Sequence, residues 1–229
     1  IGLYKAYPLK MSETFELARK NMVINQLRPN KIKEESILKI FEKTPKENYL
    51  DTSLSTNCYL DKNLDIIDKR GYLKNLHLAQ IIKYSEVSKK DKVLHLGGLT
   101  GYFSALISSL CRELFVVEEN IELFNLLKQN LKKIDVSDIH LFNKNLLEGL
   151  PNNSPFDLII IDGPMYVVND MLKNQLMNNG GRLIYIKKIY DNLGKAYKIT
   201  RNEDLYSSEY LFDVMSTYQI QDKNEDFNF

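Results

Sequence analysis

Residues 92–102 read KVLHLGGLTGY, and this stretch decides the fold. It begins as a short apolar run, continues through Gly97, Gly98 and Gly101, and leads into the small and apolar residues 102–110. A strand, a glycine-rich turn and a helix in this order predict the first unit of a parallel sheet. Glycine tolerates positive φ and lets the backbone approach a ligand closely, so the turn is also a candidate binding element.

The same alternation of strand and helix continues towards the C-terminus. Apolar runs predict strands at 92–96, 114–117, 139–142, 156–162 and 182–186, separated by helices that include 121–131 and 165–177. Residues 196–200 and 210–216 are expected to pair as an antiparallel hairpin. The pattern predicts an α/β fold over residues 91–218, in which a mostly parallel, Rossmann-like sheet is covered on both faces.

The N-terminal part carries helical spacing instead. A helix is expected over 12–28 and ends at Pro29, a short one holds Ile37 and Phe41, and a third surrounds Ala79. Residues 44–72 show no clean period and are predicted as a loop with a short strand. We expect residues 12–90 to form a helical cover over the carboxyl edge of the 91–218 core, as one compact unit, with flexible ends at 1–11 and 219–229.

Composition excludes several classes of protein. The 229 residues include 31 Lys and Arg against 30 Asp and Glu, whereas nucleic-acid binders usually carry a basic excess. No apolar run approaches the roughly 18 residues that span a membrane. Two cysteines, Cys58 and Cys111, favour reduced thiols in the cytoplasm over a disulfide framework. His77, His95 and His140 lack ligand spacing, so no metal site is expected.

Candidate site residues lie where predicted strands end, because ligands of such sheets bind at the carboxyl ends of the strands. Glu118 follows the second strand about 20 residues after the turn, as a ribose-binding acid does. The alternative is a tight turn followed by a solvated glutamate. Asp162 ends the fourth strand, where it either faces the ligand or caps the following turn. The compact turn and the polar residues 143–145 favour S-adenosylmethionine over a dinucleotide.

Four further segments carry a resemblance to a known family. They read NQLRP at 25–29, TPKENY at 44–49, FDLIIIDG at 156–163 and GGRL at 180–183. Together with residues 93–102 and Glu118, they resemble the protein-L-isoaspartate O-methyltransferases in order and content. The likeness runs from about residue 12 to residue 218.

The resemblance implies a function and a set of site residues. Such enzymes transfer a methyl group from S-adenosylmethionine to the free carboxylate of isoaspartyl residues in damaged proteins, which starts their repair, and release S-adenosylhomocysteine. The implied partner is a protein or peptide, with no nucleic acid and no membrane. Asn145 and Leu146 are expected to flank adenine. The implied cofactor-binding residues are Gly97, Gly98, Gly101, Glu118, Asn145, Leu146 and Asp162.

Four positions depart from the family pattern. His95 stands where methyltransferases usually have an acid, Leu99 replaces the middle glycine of the turn, and Asn145 replaces an aspartate. Leu73 takes the place of a serine that helps hold the substrate carboxylate, and leucine donates no hydrogen bond. No catalytic residue is therefore assigned. Two alternatives remain open, a non-catalytic descendant with a binding or assembly role and a methyltransferase with a changed substrate, and the oligomeric state is left open too.

Overall fold

The computed structural model describes residues 11–134 and 138–220. The parts of the expected flexible ends that fall on 1–10 and 221–229 lie outside the described residues. Gln219 and Ile220, also expected to be flexible, are held by hydrogen bonds from their backbone N–H groups to Lys69 O at 2.9 Å and Pro164 O at 2.8 Å.

The N-terminal part combines helices with a hairpin. The first helix continues through one π-helical turn at Val23–Leu27 and a 3₁₀ turn at Arg28–Asn30, so it ends around Pro29 as predicted. Residues 44–72, predicted as loop, also hold a 3₁₀ turn at Lys46–Tyr49. The elements are α1 (Met11–Met22), α2 (Glu35–Lys43), α3 (Thr52–Ser55), β1 (Leu64–Ile67), β2 (Arg70–Tyr72) and α4 (Asn75–Ser85).

The C-terminal part forms a seven-stranded sheet in the order β5-β4-β3-β6-β7-β8-β9. The first five strands in this order pair in parallel, while β8 and β9 pair antiparallel, which confirms the predicted mostly parallel sheet and its hairpin. The elements are β3 (Lys92–Leu96), α5 (Tyr102–Ser108), β4 (Glu113–Val117), α6 (Ile121–Leu131), β5 (Ile139–Phe142), β6 (Leu158–Met165), α7 (Asp170–Lys173), β7 (Asn179–Tyr190), β8 (Leu193–Asn202) and β9 (Leu205–Met215).

The helix predicted at residues 165–177 is wrong. Strand β6 continues to Met165, because Pro164 and Met165 resume pairing with β7 beyond an irregularity that begins after Ile160. The only helix in this stretch is the one-turn α7, whose start is capped when the Asn169 side chain accepts a hydrogen bond from Leu172 N. Of the predicted helix, strand β6 takes Met165 and an isolated bridge to Phe156 takes Leu176, and outside α7 the other residues are not helical.

Two apolar cores lie on the two faces of the sheet. One joins the N-terminal helices and α4 to α5, α6 and one face of the central strands. The other packs the opposite face against residues 142–176. Within the described ranges, no helix has both the length and the apolar character that crossing a membrane requires. The cores fix the carboxyl ends of β3, β4 and β6 side by side, and the β1–β2 hairpin lies against them.

Candidate active site

The glycine-rich turn after β3 has the backbone that its sequence predicts. Gly97 has φ of +93° and Gly101 has φ of +100°, the left-handed region that favours glycine. A Cβ on Gly98 would lie 2.4 Å from a side-chain atom of Leu127, so this glycine is required by helix packing. Leu99 also has positive φ, at +49°, and its side chain is buried in the core with α5 and α6. Leucine thus keeps the shape of the turn and turns its side chain into the interior.

Glu118 lies at the carboxyl end of β4 with its side chain fully buried. Its carboxylate accepts two hydrogen bonds from Arg70, with Nη1 to Oε1 at 3.0 Å and Nη2 to Oε2 at 2.8 Å. The backbone N–H groups of Leu99 and Asn120 donate to the same carboxylate at 2.9 Å and 3.0 Å. The alternative of a solvated glutamate is therefore wrong. Glu118 is where the prediction placed it, but a cation from the chain itself pairs with it.

Arg70 begins β2 and is a site residue that the sequence reasoning missed. Its side chain is 10% exposed, and Nη2 lies 3.3 Å from the position that a Cβ on Gly97 would take. The guanidinium therefore lies between the glycine turn and Glu118. A signal was available: a glutamate that ends a fully apolar strand needs a cationic partner if it is buried. The sequence did not say which cation that is.

Asp162 and His95 form a second buried polar pair. Asp162 does not end its strand as predicted but lies within β6, at the irregularity between Ile160 and Pro164, and His95 lies one residue before the end of β3. His95 Nε2 lies 3.7 Å from Asp162 Oδ2, too far for a hydrogen bond, while His95 Nδ1 is bonded to Ser104 Oγ at 2.9 Å. Both oxygens of Asp162 and His95 Nε2 are buried with no hydrogen-bond partner among the described residues. Asp162 is thus not a turn cap, and its carboxylate has unused capacity to bind a donor.

A buried polar cluster lies behind the turn, around Tyr72 and Lys46. The Tyr72 hydroxyl accepts hydrogen bonds from the N–H groups of Thr100 and Tyr102, at 3.2 Å and 3.0 Å. Lys46 Nζ donates to Asn75 Oδ1 at 2.9 Å and lies 5.3 Å from the Tyr72 ring centre and 5.1 Å from that of Tyr102. Burial lowers the pKa of Lys46 from 10.5 to about 8 and raises that of Tyr72.

The three remaining positions singled out from the sequence do not lie together: Asn145 is exposed, whereas Leu146 and Leu73 are buried in different cores. Asn145 is exposed, and its Oδ1 accepts a hydrogen bond from Leu147 N at 2.7 Å. The Leu146 side chain is 1% exposed and belongs to the second core. Leu73 is fully buried in the first core. The roles of Asn145 and Leu146 beside adenine stay predictions.

A C-terminal strap, residues 216–220, crosses this edge of the sheet. The Tyr218 hydroxyl donates to Asp65 Oδ1 at 2.7 Å, and Lys188 Nζ lies 3.1 to 3.3 Å from three oxygens of Thr217, Tyr218 and Gln219. Ile220 packs on Gly163, where an added Cβ would lie 2.9 Å from Ile220 Cγ1. The gap enclosed by the strap, Arg70 and residues 162–163 has no volume that a water molecule could enter.

The groups for a nucleoside cofactor are therefore present, but the space between them is filled by the chain. The glycine turn, the buried Glu118 and the unpartnered Asp162 suit a ligand with hydroxyl and cationic groups. Arg70 and the strap occupy the edge where that ligand would lie. In the conformation described, the residues fit the cofactor only if these two elements move.

The sheet order, the positive-φ turn after β3 and the acid after β4 define a class: the Rossmann-like, S-adenosylmethionine-dependent methyltransferases. The model of one family, protein-L-isoaspartate(D-aspartate) O-methyltransferase, matches residues 18–215. The chain belongs to this family, whose enzymes use S-adenosylmethionine to methylate protein substrates.

Curated relatives and solved structures agree with this. The chain is 30% identical to the protein-L-isoaspartate O-methyltransferase of Shewanella halifaxensis, over 80% of this chain and 85% of the relative. It is 29% identical to that of Shewanella woodyi, over 87% and 92%. A solved protein-L-isoaspartate O-methyltransferase superposes with a TM-score of 0.76 at 19% identity, over 87% of this chain and 65% of that one.

A structure from Plasmodium falciparum, assigned to the same enzyme type and solved with S-adenosyl-L-homocysteine, gives a TM-score of 0.73 at 17% identity. It covers 87% of this chain and 97% of that chain. At these identities the two solved structures establish the shared fold.

Proposed function

We propose that this chain transfers the methyl group of S-adenosylmethionine to the carboxylate of isoaspartyl residues in proteins or peptides. The observation that carries the proposal is the buried Glu118 beside a positive-φ glycine turn, at the carboxyl ends of adjacent parallel strands. Family membership supports the same reaction.

In this reaction the protein has to align the methyl group with the substrate carboxylate, and proton transfer matters less. The cofactor supplies a methyl group on a sulfonium, which is already a good leaving group. A carboxylate is already nucleophilic when ionised, so alignment of the two reactants can supply much of the rate. This agrees with the lack of an assigned catalytic base.

We assign the cofactor contacts as follows. Once Arg70 has left it, the Glu118 carboxylate would accept hydrogen bonds from the two ribose hydroxyls. The turn from Gly97 to Gly101 would lie along the bound cofactor. The Asp162 carboxylate binds a cationic group of the ligand, because both of its oxygens are buried without a hydrogen-bond partner among the described residues. Asn145 and Leu146 flank adenine. Leu73 offers no donor for the substrate carboxylate, so no residue is assigned to that task.

The test is methyl transfer from labelled S-adenosylmethionine to a peptide that contains isoaspartate, with the aspartate peptide of the same sequence as its control. We expect labelling of the isoaspartyl peptide alone. Glu118→Gln should abolish it, because the amide side chain cannot accept hydrogen bonds from both ribose hydroxyls. Labelling of both peptides to the same extent would contradict the proposed specificity.

Leu73 favours a second candidate, a methyltransferase of the same cofactor with a changed substrate. Binding of S-adenosylhomocysteine without any labelling of isoaspartyl peptides would support it. A folded protein that binds neither cofactor nor product would support the non-catalytic alternative instead.

We further propose a cytoplasmic location and a protein or peptide partner, with no nucleic acid. The formal net charge of +1 and the unpaired Cys58 and Cys111 support this assignment. Fractionation of cells that express the chain would test the location.

A further inference from the structure

We propose that Arg70 and the C-terminal strap together form an internal plug that competes with the cofactor for Glu118. The chain then holds its own cofactor site closed, and binding requires the plug to be displaced. This inference rests on the proposed function, because it assigns the closed site to the same cofactor.

Arg70 matches the hydrogen bonds expected from the cofactor. A ribose presents two neighbouring hydroxyl donors, and the Arg70 guanidinium presents two N–H donors to the two oxygens of Glu118, at 3.0 Å and 2.8 Å. The remaining two bonds to this carboxylate come from the backbone N–H groups of Leu99 and Asn120. The two backbone bonds can remain when Arg70 leaves. Binding of the cofactor then replaces the two N–H donors of Arg70 by the two hydroxyl donors of the ribose.

The strap is held from three sides. Backbone N–H groups of Gln219 and Ile220 donate to Lys69 O and Pro164 O, which ties the β1–β2 hairpin to the end of β6. The Tyr218 hydroxyl adds its bond to Asp65, and its ring lies against Gly71, where an added Cβ would be 2.6 Å from the hydroxyl oxygen. Lys188 is 6% exposed and holds the strap from β7. The strap therefore holds Lys69 and Gly71, the two chain neighbours of Arg70, in place.

The closed arrangement also carries a cost that a ligand removes. Both carboxylate oxygens of Asp162 and His95 Nε2 are buried at this edge without hydrogen-bond partners in the described part of the chain. Unsatisfied buried acceptors disfavour the state that buries them. A cationic ligand beside Asp162 would bind the carboxylate oxygens that have no hydrogen bond in the closed form. The free-energy difference between the closed form and the open, ligand-bound form is therefore smaller than the contacts of the plug alone would give.

Arg70 also has a second place to go. A surface recess of about 380 Å³ lies next to it, and its lining includes Asp68 and Glu119 as well as Arg70 itself. A guanidinium that leaves Glu118 can turn into this recess, where the two carboxylates outnumber the one other cation in the lining, Lys69. The plug is thus able to open without leaving a buried cation unpaired.

The experiment measures the dissociation constant of S-adenosylhomocysteine by calorimetry on the full chain, for the wild type and three variants. Arg70→Gln removes the cation that pairs with Glu118, and Lys188→Met releases the strap without touching Glu118. Arg182→Gln is the control, because it breaks another arginine–carboxylate pair, a partly buried one with Asp91 at 2.7 Å, at the opposite end of the strands. Thermal melting confirms that each variant is folded.

We expect Arg70→Gln to bind at least tenfold tighter than the wild type and Lys188→Met severalfold tighter, with Arg182→Gln unchanged. Equal affinity of the wild type and Arg70→Gln would overturn the plug and leave the proposed function intact. Weaker binding by Arg70→Gln would also overturn it, because Arg70 would then be a ligand contact.

Loss of binding in every folded protein, up to millimolar ligand, would overturn both the plug and the proposed function. If Arg70→Gln does not fold, Lys188→Met and Arg70→Lys decide the matter. We expect Arg70→Lys to lie between the wild type and Lys188→Met, because a lysine ammonium is a point charge and does not reproduce the bidentate pair. Wild-type affinity in both variants would overturn the plug.

Discussion

Leu99 keeps a backbone conformation that suits glycine. Its φ of +49° strains a residue with a Cβ, by roughly 1 kcal/mol. Its side chain is 1% exposed in the core, and burial of a leucine contributes about 1.5–3 kcal/mol. Burial therefore outweighs strain, which explains how a departure from the family pattern leaves the turn intact.

The strain at Leu99 predicts that the usual order of stability, in which an alanine variant is more stable than a glycine variant, is inverted at this position. Leu99→Ala and Leu99→Gly should both lower the free energy of unfolding, by about 2–4 kcal/mol, because both empty the same core position. Leu99→Gly should be at least as stable as Leu99→Ala, since only glycine relieves the positive φ. Urea unfolding measures both. At Leu96, a buried strand residue, we expect the usual order, with the glycine variant less stable by about 1 kcal/mol. The same order at both positions would contradict the strain.

Lys46 predicts a rise of stability with pH. Its pKa is about 8 in the folded chain against an ordinary value of 10.5, so the buried charge destabilises the fold below pH 8. This destabilisation disappears as the pH rises from 8 towards 10.5, because the unfolded chain then binds more protons than the folded one.

The matching measurement compares the wild type with Lys46→Met. The free energy of unfolding of the wild type, relative to the variant, should rise between pH 8 and 10.5 by an amount on the order of 3 kcal/mol. Use of the difference cancels the titration of cysteines and tyrosines that both proteins share. A difference that does not change with pH would mean that Lys46 keeps an ordinary pKa in the folded chain.

Between elements, the Arg70–Glu118 pair joins the β1–β2 hairpin to the parallel sheet. Removal of one partner of a buried pair leaves an uncompensated charge, which costs about 3–5 kcal/mol. We therefore expect Arg70→Gln and Glu118→Gln each to lower the free energy of unfolding strongly. The double variant should cost less than the sum of the two, with a coupling of about 1–3 kcal/mol in urea unfolding. Additive losses would show that the pair is not coupled in solution.

The elements also show what a sequence can predict. Strands β3 and β6 were predicted because each is a continuous apolar run, as central parallel strands are. In residues 44–72 one short strand was expected, but its pairing with a second strand was missed, because β1 and β2 have only four and three residues, too few for a period to appear. Of the helix expected at 165–177 only the one-turn α7 forms, with tertiary pairing at both ends of the segment: Met165 pairs with β7 and Leu176 bridges to Phe156.

The candidate site divides in the same way. Glu118 and the glycine turn follow from one local unit of strand, turn and helix. Arg70 lies 48 residues before its partner, and Lys188, which is buried under the strap, lies 30 residues before Tyr218, whose carbonyl it binds. Contacts between distant segments carry no local pattern, so the positions of Glu118 and the glycine turn were predictable, whereas Arg70 and the strap were not.

On the scale of the whole molecule, the sheet is protected at its centre and open at one edge. Strands β3 and β6 are paired and covered on both sides, whereas residues 205–210 of the outermost strand β9 are exposed. We expect backbone amides of β3 and β6 to exchange hydrogen only through global unfolding, and those of residues 205–210 to exchange much faster. Hydrogen-exchange mass spectrometry measures both. Equal protection would indicate that the β9 edge is covered in solution, for example by a second copy of the chain.

If Arg70 must leave Glu118 before the cofactor binds, the protein also limits the rate of cofactor binding. If the open form is one molecule in a hundred, the apparent affinity falls by that factor, and encounters with the closed form are unproductive. The observed rate of association would then stop rising with cofactor concentration once it reaches the rate of opening. The opening rate of the Arg70–Glu118 ion pair would then limit cofactor binding, the first step of the reaction. That limit is a property of the protein and does not depend on the cofactor concentration.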